Sequence, residues 1–229
     1  MTTRYLLKKI KLSDKDMEEI KAAVSRAESK TNGEIALALT AESDSYSFWE
    51  LLSATYVAAT VFIMLLPFAG AIFNFYERHF WSVRSWVLPA FYGITTLATI
   101  VTAFFVMNIP ALDRLIIPKS IQHRNVTSKA FEHFAKSGVY ETAENSGILI
   151  FVSFLERQVR IIADSGIAKK IPQDLWNIIA DDLAAGIKAG KTKEGFINAV
   201  EKCGELLAEH FPAKAENPNE LPDGLVILN

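Results

Sequence analysis

LLSATYVAATVFIMLLPFAGAIFNFY, residues 51–76, contains no Asp, Glu, Lys or Arg. A helix rises about 1.5 Å per residue, so roughly 20 apolar residues cross the ~30 Å hydrocarbon layer of a bilayer. A second uncharged run, residues 85–112, centres on WVLPAFYGITTLATIVTAFFVMNI. Two spans are therefore expected, at residues 51–73 and 86–109, joined by NFYERHFWSVRS with Glu77, Arg78, His79 and Arg84. A short connection makes them an antiparallel hairpin, with both flanking segments on one side. All-apolar helices can also fill the core of a large soluble protein. Residues 1–47 and 111–229 are too few to enclose two helices of this length.

Aromatic residues cluster where the interfaces should lie. Tyr46, Phe48 and Trp49 precede the first span, and Phe75, Tyr76, Phe80, Trp81 and Trp86 surround the hairpin loop. The loop carries two basic residues, Arg78 and Arg84. Residues 111–136 carry five: Arg114, Lys119, Arg124, Lys129 and Lys136. Such a bias places the soluble part in the cytoplasm and the loop outside, in a multi-pass protein of the inner (cytoplasmic) membrane. The opening MTTRYLLKKIKLSDKD lacks the apolar run of a secretory signal. Ala54 and Ala58 form a small-xxx-small pair, and Thr95, Thr99 and Thr102 line one face of the second span. Close packing within the hairpin explains both.

The remaining sequence reads as ordinary water-soluble protein. A net charge of −2 over 229 residues implies no general nucleic-acid surface. The lone Cys203 excludes an internal disulfide and suits a small buried hydrophobe. Ser13 is expected to cap a helix with Asp16 at its third position, and Leu12 and Met17 as a hydrophobic staple. Met17, Ile20, Val24 and Ala27 repeat at helical spacing, and Asn32-Gly33 is the expected stop. EIALALT then alternates, with Ile35, Leu37 and Leu39 on one face. Ala36 and Ala38 leave the other face shallow, so that a helix can approach.

Beyond the spans, residues 118–137 read as a helix ending before Gly138. Ile148 to Val152 is continuously apolar, as in a central strand covered on both faces. Leu155 to Gln158 turns, Val159 to Ala163 returns, and Asp164-Ser165-Gly166 ends the pair. Two helices follow, one from about Pro172 with Leu175, Trp176, Ile179 and Leu183 inward. The other starts at Thr192, expected as its N-cap, with Phe196, Val200 and Leu207 inward. The order implies an α/β (α+β) fold, a mixed sheet flanked by helices and interrupted by a transmembrane hairpin. Residues 1–47 and 111–211 form the soluble domain and 48–110 the hairpin. Residues 212–229 form an extended tail whose last residues dock on the domain or lie free.

The stretches LSDKDMEEIKAAVSRAESKTNGEIALAL, SYSFWELLSATY, SGILIFVSFLERQVRIIADSGI and HFP…NELPDGLVIL together resemble the TPM domain. They are most similar to a subgroup of bacterial membrane proteins in which two spans interrupt that domain. The resemblance implies a mixed sheet between helices. For some members it also implies phosphatase activity and divalent-metal binding. Many members have a G-x-G turn after the second hairpin strand; here IIADSGI keeps only Gly166.

Chemistry in the sequence is sparse. Asp164, Asp181 and Asp182 are the candidate metal ligands, able as oxygen donors to suit Ca²⁺ or Mg²⁺. Their other reading is a turn-capping Asp164 with Asp181 and Asp182 on a solvated helix face. His79, His123, His133 and His210 are scattered, without an HExxH pattern. AAGIKAGKT fails as a phosphate loop because position 185 is Ala185 and the context is helical. Ser153 and Ser165 lack the G-x-S-x-G setting of a hydrolase nucleophile. The expected function is a non-catalytic interaction or accessory module, anchored by its spans and assisting another membrane protein, with no cofactor. The alternative is a metal-dependent phosphatase-like enzyme.

Overall fold

The alternation in EIALALT builds the strand around which the sheet is organised. The computed structural model describes residues 3–80, 82, 84–142, 145–214 and 221–228. Two compact units emerge, Met1–Asp44 with Ser120–Asn229, and Ser45–Lys119. The first opens with α1 (Thr3–Ile10), α2 (Asp14–Glu28) and β1 (Glu34–Thr40). The chain then passes through α3 (Ser47–Leu65), α4 (Ala69–His79), α5 (Val87–Met107) and α6 (Pro110–Ile116). It continues as α7 (Lys119–Lys136), β2 (Gly147–Ser153), β3 (Gln158–Ala163) and α8 (Ser165–Ala168). Helices α9 (Gln173–Lys188) and α10 (Thr192–His210) precede β4 (Leu225–Leu228).

The mixed sheet has the order β3-β2-β1-β4. β1 runs parallel to β2, with Glu34 opposite Gly147 and Thr40 opposite Ser153, and β3 is antiparallel to β2. Strands from both sides of the interruption thus share one sheet. Its first face buries Ile35, Leu37, Leu39, Ile148 and Ile150 against α2, α9 and α10, which contribute Ile20, Trp176, Phe196 and Leu207. Burial of such a side chain contributes about 1.5–3 kcal/mol. On the second face, Ala36, Ala38, Leu149, Phe151 and Ile162 meet Val126 and Ala130 of α7. The two alanines keep that face shallow, as their spacing suggests.

Local chemistry sets the element ends. Ser13 Oγ accepts the Asp16 N–H at 3.2 Å while Asp16 Oδ2 accepts the Ser13 N–H at 2.9 Å, a complete capping box. Gly147 admits a close crossing, since a Cβ there would lie 2.2 Å from the Val139 carbonyl oxygen. At Gly204 a Cβ would lie 2.7 Å from Ala27 Cβ, so α10 lies tight against α2.

Several sequence expectations need correction. α2 stops at Glu28, capped through the Ser29 N–H, before the predicted Asn32-Gly33 stop. Thr192 is not the cap of α10; Lys191 holds that position, and Thr192 Oγ1 instead donates to the Ile10 carbonyl at 2.7 Å. This bond ties α10 to the end of α1, a helix not expected from the sequence. Of the two fates open to the tail beyond residue 211, docked or free, its last residues dock. Leu225–Leu228 lies parallel to β1, from Leu37 opposite Leu225 to Thr40 opposite Leu228, making the tail's apolar end the fourth strand.

In the second unit, α3 packs against α5, and Ala54 and Ala58 are fully buried. The first apolar stretch is not one regular helix. Pro67 has no N–H, and Leu66–Phe68 adopts a 3-10 turn between α3 and α4. The Ala69 N–H bonds to Leu66 rather than Leu65. Tyr92 Oη on α5 donates to the Leu65 carbonyl at 2.9 Å and satisfies the group that the break releases. At the other end of α3 the buried Glu50 accepts from Asn108 Nδ2 at 3.1 Å. Trp81 of the predicted interfacial cluster lies outside the described residues.

Candidate functional site

β3 is a margin of the sheet, and its register decides what it exposes. The Asp164 N–H bonds the Gly147 carbonyl at 2.9 Å, and alternate residues back along the strand pair with β2 in the same way. Val159, Ile161 and Ala163 therefore turn their backbone groups away from the sheet. Arg160 Nη1 donates to the Val159 carbonyl at 2.7 Å, and Gln173 Nε2 to the Ile161 carbonyl at 3.3 Å. A groove of about 630 Å³ follows this margin between α7 and α9.

Arg160 sits in the groove with its guanidinium half-buried. Nε donates to Thr127 Oγ1 at 3.3 Å, and Nη2 to Gln158 Oε1 at 2.7 Å and toward His123 Nδ1. The Thr127, Gln158 and Val159 oxygens are neutral acceptors, and no salt bridge to Arg160 exists among the described residues. Burial lowers its pKa, and the negative charge of Asp181 partly offsets that.

The three candidate aspartates occupy different settings. Asp181 borders the groove beside β3. Asp182 is exposed and pairs with Lys202 on α10 at 2.7 Å. Asp164, only 8% exposed, caps α8, its Oδ1 accepting the Ser165 N–H. Its Oδ2 is buried without a partner among the described residues. No group of three or more His, Cys, Asp or Glu side chains among those residues is placed to hold a metal ion. The residues present do not fit a divalent cation held by a carboxylate cluster.

A buried network escaped the sequence reading. Glu156 in the β2–β3 turn accepts from the Ser43 N–H at 3.0 Å and from the hydroxyls of Ser43 and Ser153. Ser153 is fully buried, which suits a structural tie rather than a nucleophile. Its only sequence signal was a glutamate inside a tight turn, which reads as solvated. Cys203 is buried, and desolvation raises its thiol pKa.

Residues 113–206, from α6 to near the end of α10, match the model of the TPM domain. Over these residues the chain is similar to the TPM domain. The match begins after the apolar helices, yet β1, which lies between β2 and β4 in the sheet, comes from residues 34–40. The sheet to which the matched region contributes β2 and β3 is therefore completed from the far side of the interruption. The NMR structure of BA42 protein from the psychrophilic bacterium Bizionia argentinensis has a similar fold. Its TM-score is 0.55 at 18% identity, with 95% of each chain covered. No curated protein matches the chain.

Two helices are long and apolar enough to cross a membrane, Ser47–His79 and Val87–Met107. Only 6% and 11% of the residues in their most apolar windows are buried. Tyr56 is 75% exposed and Phe105 71%. The core helix of a soluble protein would show the reverse.

Proposed function

We propose that this chain is a membrane-anchored TPM module, a non-catalytic accessory protein that binds another membrane protein. Its soluble unit lies at the cytoplasmic face of the inner membrane. The carrying observation is the pair of long apolar helices, most of whose described apolar side chains away from their mutual contact are exposed. Hydrocarbon is the solvent in which such a surface is stable. Five basic residues follow the second helix and two lie in the connection, which supports the cytoplasmic side. An adaptor role is supported by a polar groove along an open strand.

Cross-linking in native membranes, then purification in mild detergent, tests this reading. A reproducible membrane-protein partner is the expected result; recovery of the chain by itself would contradict it. A phosphatase reading has one observation in its favour, the unpartnered buried Oδ2 of Asp164. Metal-dependent hydrolysis of a generic phosphoester, lost in Asp164→Asn, would replace the accessory role with that one.

A further inference from the structure

We propose that the open margin of β3 is a peptide-docking site, taking an extended segment that carries an acidic side chain opposite Arg160. This rests on the accessory reading above and names the surface and the partner chemistry it left open. Three features converge on the groove. The N–H groups of Val159, Ile161 and Ala163 point into it, spaced as an added strand requires. The walls from α7 and α9 mix apolar surface with polar groups, including Phe131, Thr127 and Asn177. An extended chain with period-two side chains can satisfy both.

The third feature is charge. Burial opposes the charged form of Arg160, and its hydrogen bonds to Thr127, Gln158 and the Val159 carbonyl go to neutral acceptors. A planar guanidinium forms its strongest bonds with a carboxylate, in paired geometry. Asp181 attracts it through space without forming a salt bridge. An incoming Glu or Asp on the α7 side supplies the missing pair. Arg160 would then turn from the Val159 carbonyl and free it for the new strand. The 3.3 Å bond from Gln173 to Ile161 is long, and a peptide N–H replaces it at modest cost.

The test uses the full chain in detergent micelles and fluorescein-labelled Val-Thr-Val-Glu-Val-Thr, with a Lys-for-Glu counterpart. Fluorescence anisotropy should show the Glu peptide binding at least about tenfold tighter, a preference lost in Arg160→Gln. Amide hydrogen exchange of the unmutated chain should slow at Val159, Ile161 and Ala163 when that peptide is added. N-methylation of its strand-bonding amides should abolish binding, so the site can be refuted even if Arg160→Gln fails to fold. Equal binding of the two peptides, protection confined elsewhere, or pairing of β3 with a second copy of the chain would overturn the proposal. A native partner cross-linked only outside the groove would also remove this site, while leaving the accessory role standing.

Discussion

Glu28 should make the soluble unit lose stability as pH rises, and Glu28→Gln should remove that dependence. The side chain is buried at the end of α2, with Oε1 accepting the Ile35 N–H at 2.8 Å. Desolvation raises its pKa from 4.5 to about 8, and Glu34 and Asp223 add repulsion, while the Ile35 bond works the other way. The folded state therefore holds a proton that the unfolded state releases. Stability is fully present below pH 4.5, falls as pH rises from there, and levels off above about 8. Each pH unit within that window removes about 1.36 kcal/mol, so the loss between pH 5 and pH 9 is about 4 kcal/mol.

Glutamine keeps the acceptor for Ile35 and carries no charge. Denaturant unfolding of the full chain in micelles, followed through the buried Trp176, measures the difference. Glu28→Gln should gain about 4 kcal/mol on the parent between those two pH values. A difference that stays constant from pH 5 to pH 9 would refute the buried, protonated carboxyl.

Tyr92→Phe should destabilise the helix pair by about 0.6 kcal/mol, and by no more than about 1.7, through loss of the Leu65 bond. Pro67→Ala should abolish that effect by restoring the helical partner of Leu65, as a double-mutant cycle by steric trapping would read. Trp176→Ala should cost about 3–5 kcal/mol in denaturant unfolding. Gly147→Ala should cost more than the ~1–3 kcal/mol of ordinary overpacking, because its Cβ meets a backbone carbonyl. Deleting residues 225–228 uncovers the β1 margin, so light scattering should detect concentration-dependent association.

The elements that sequence revealed are those with a local physical cause. Ser13 and Asp16 lie three residues apart and bond each other, and the Ile35/Ala36 alternation states which face is shallow. The uncharged runs declare themselves because no interior of this size could hide them. β4 was harder to place, since its partner β1 lies almost 200 residues away and the intervening Pro and Asn give no pairing signal. Thr192 misled because a threonine before an apolar run resembles a cap, whereas the Ile10 carbonyl claims its hydroxyl. The candidate site was least legible. Arg160 looks like a solvated residue on a short strand until α7 and α9 wall it in. Asp181 and Asp182 are neighbours in sequence, yet a helix turns adjacent residues about 100° apart, and Asp182 turns to Lys202.

The proposed spanning hairpin within one shared sheet is tested most directly by one-sided thiol labelling in sealed vesicles of known orientation. Cys203 is buried and gives little background. Single cysteines at Lys15 and Lys188 report the two halves of the soluble unit, and one at Ser82 reports the loop. Lys15→Cys and Lys188→Cys should react with an impermeant maleimide from one and the same side, and Ser82→Cys only from the other. Labelling of all three from one side would contradict the spanning hairpin, and labelling of Lys15→Cys and Lys188→Cys from opposite sides would contradict the shared sheet.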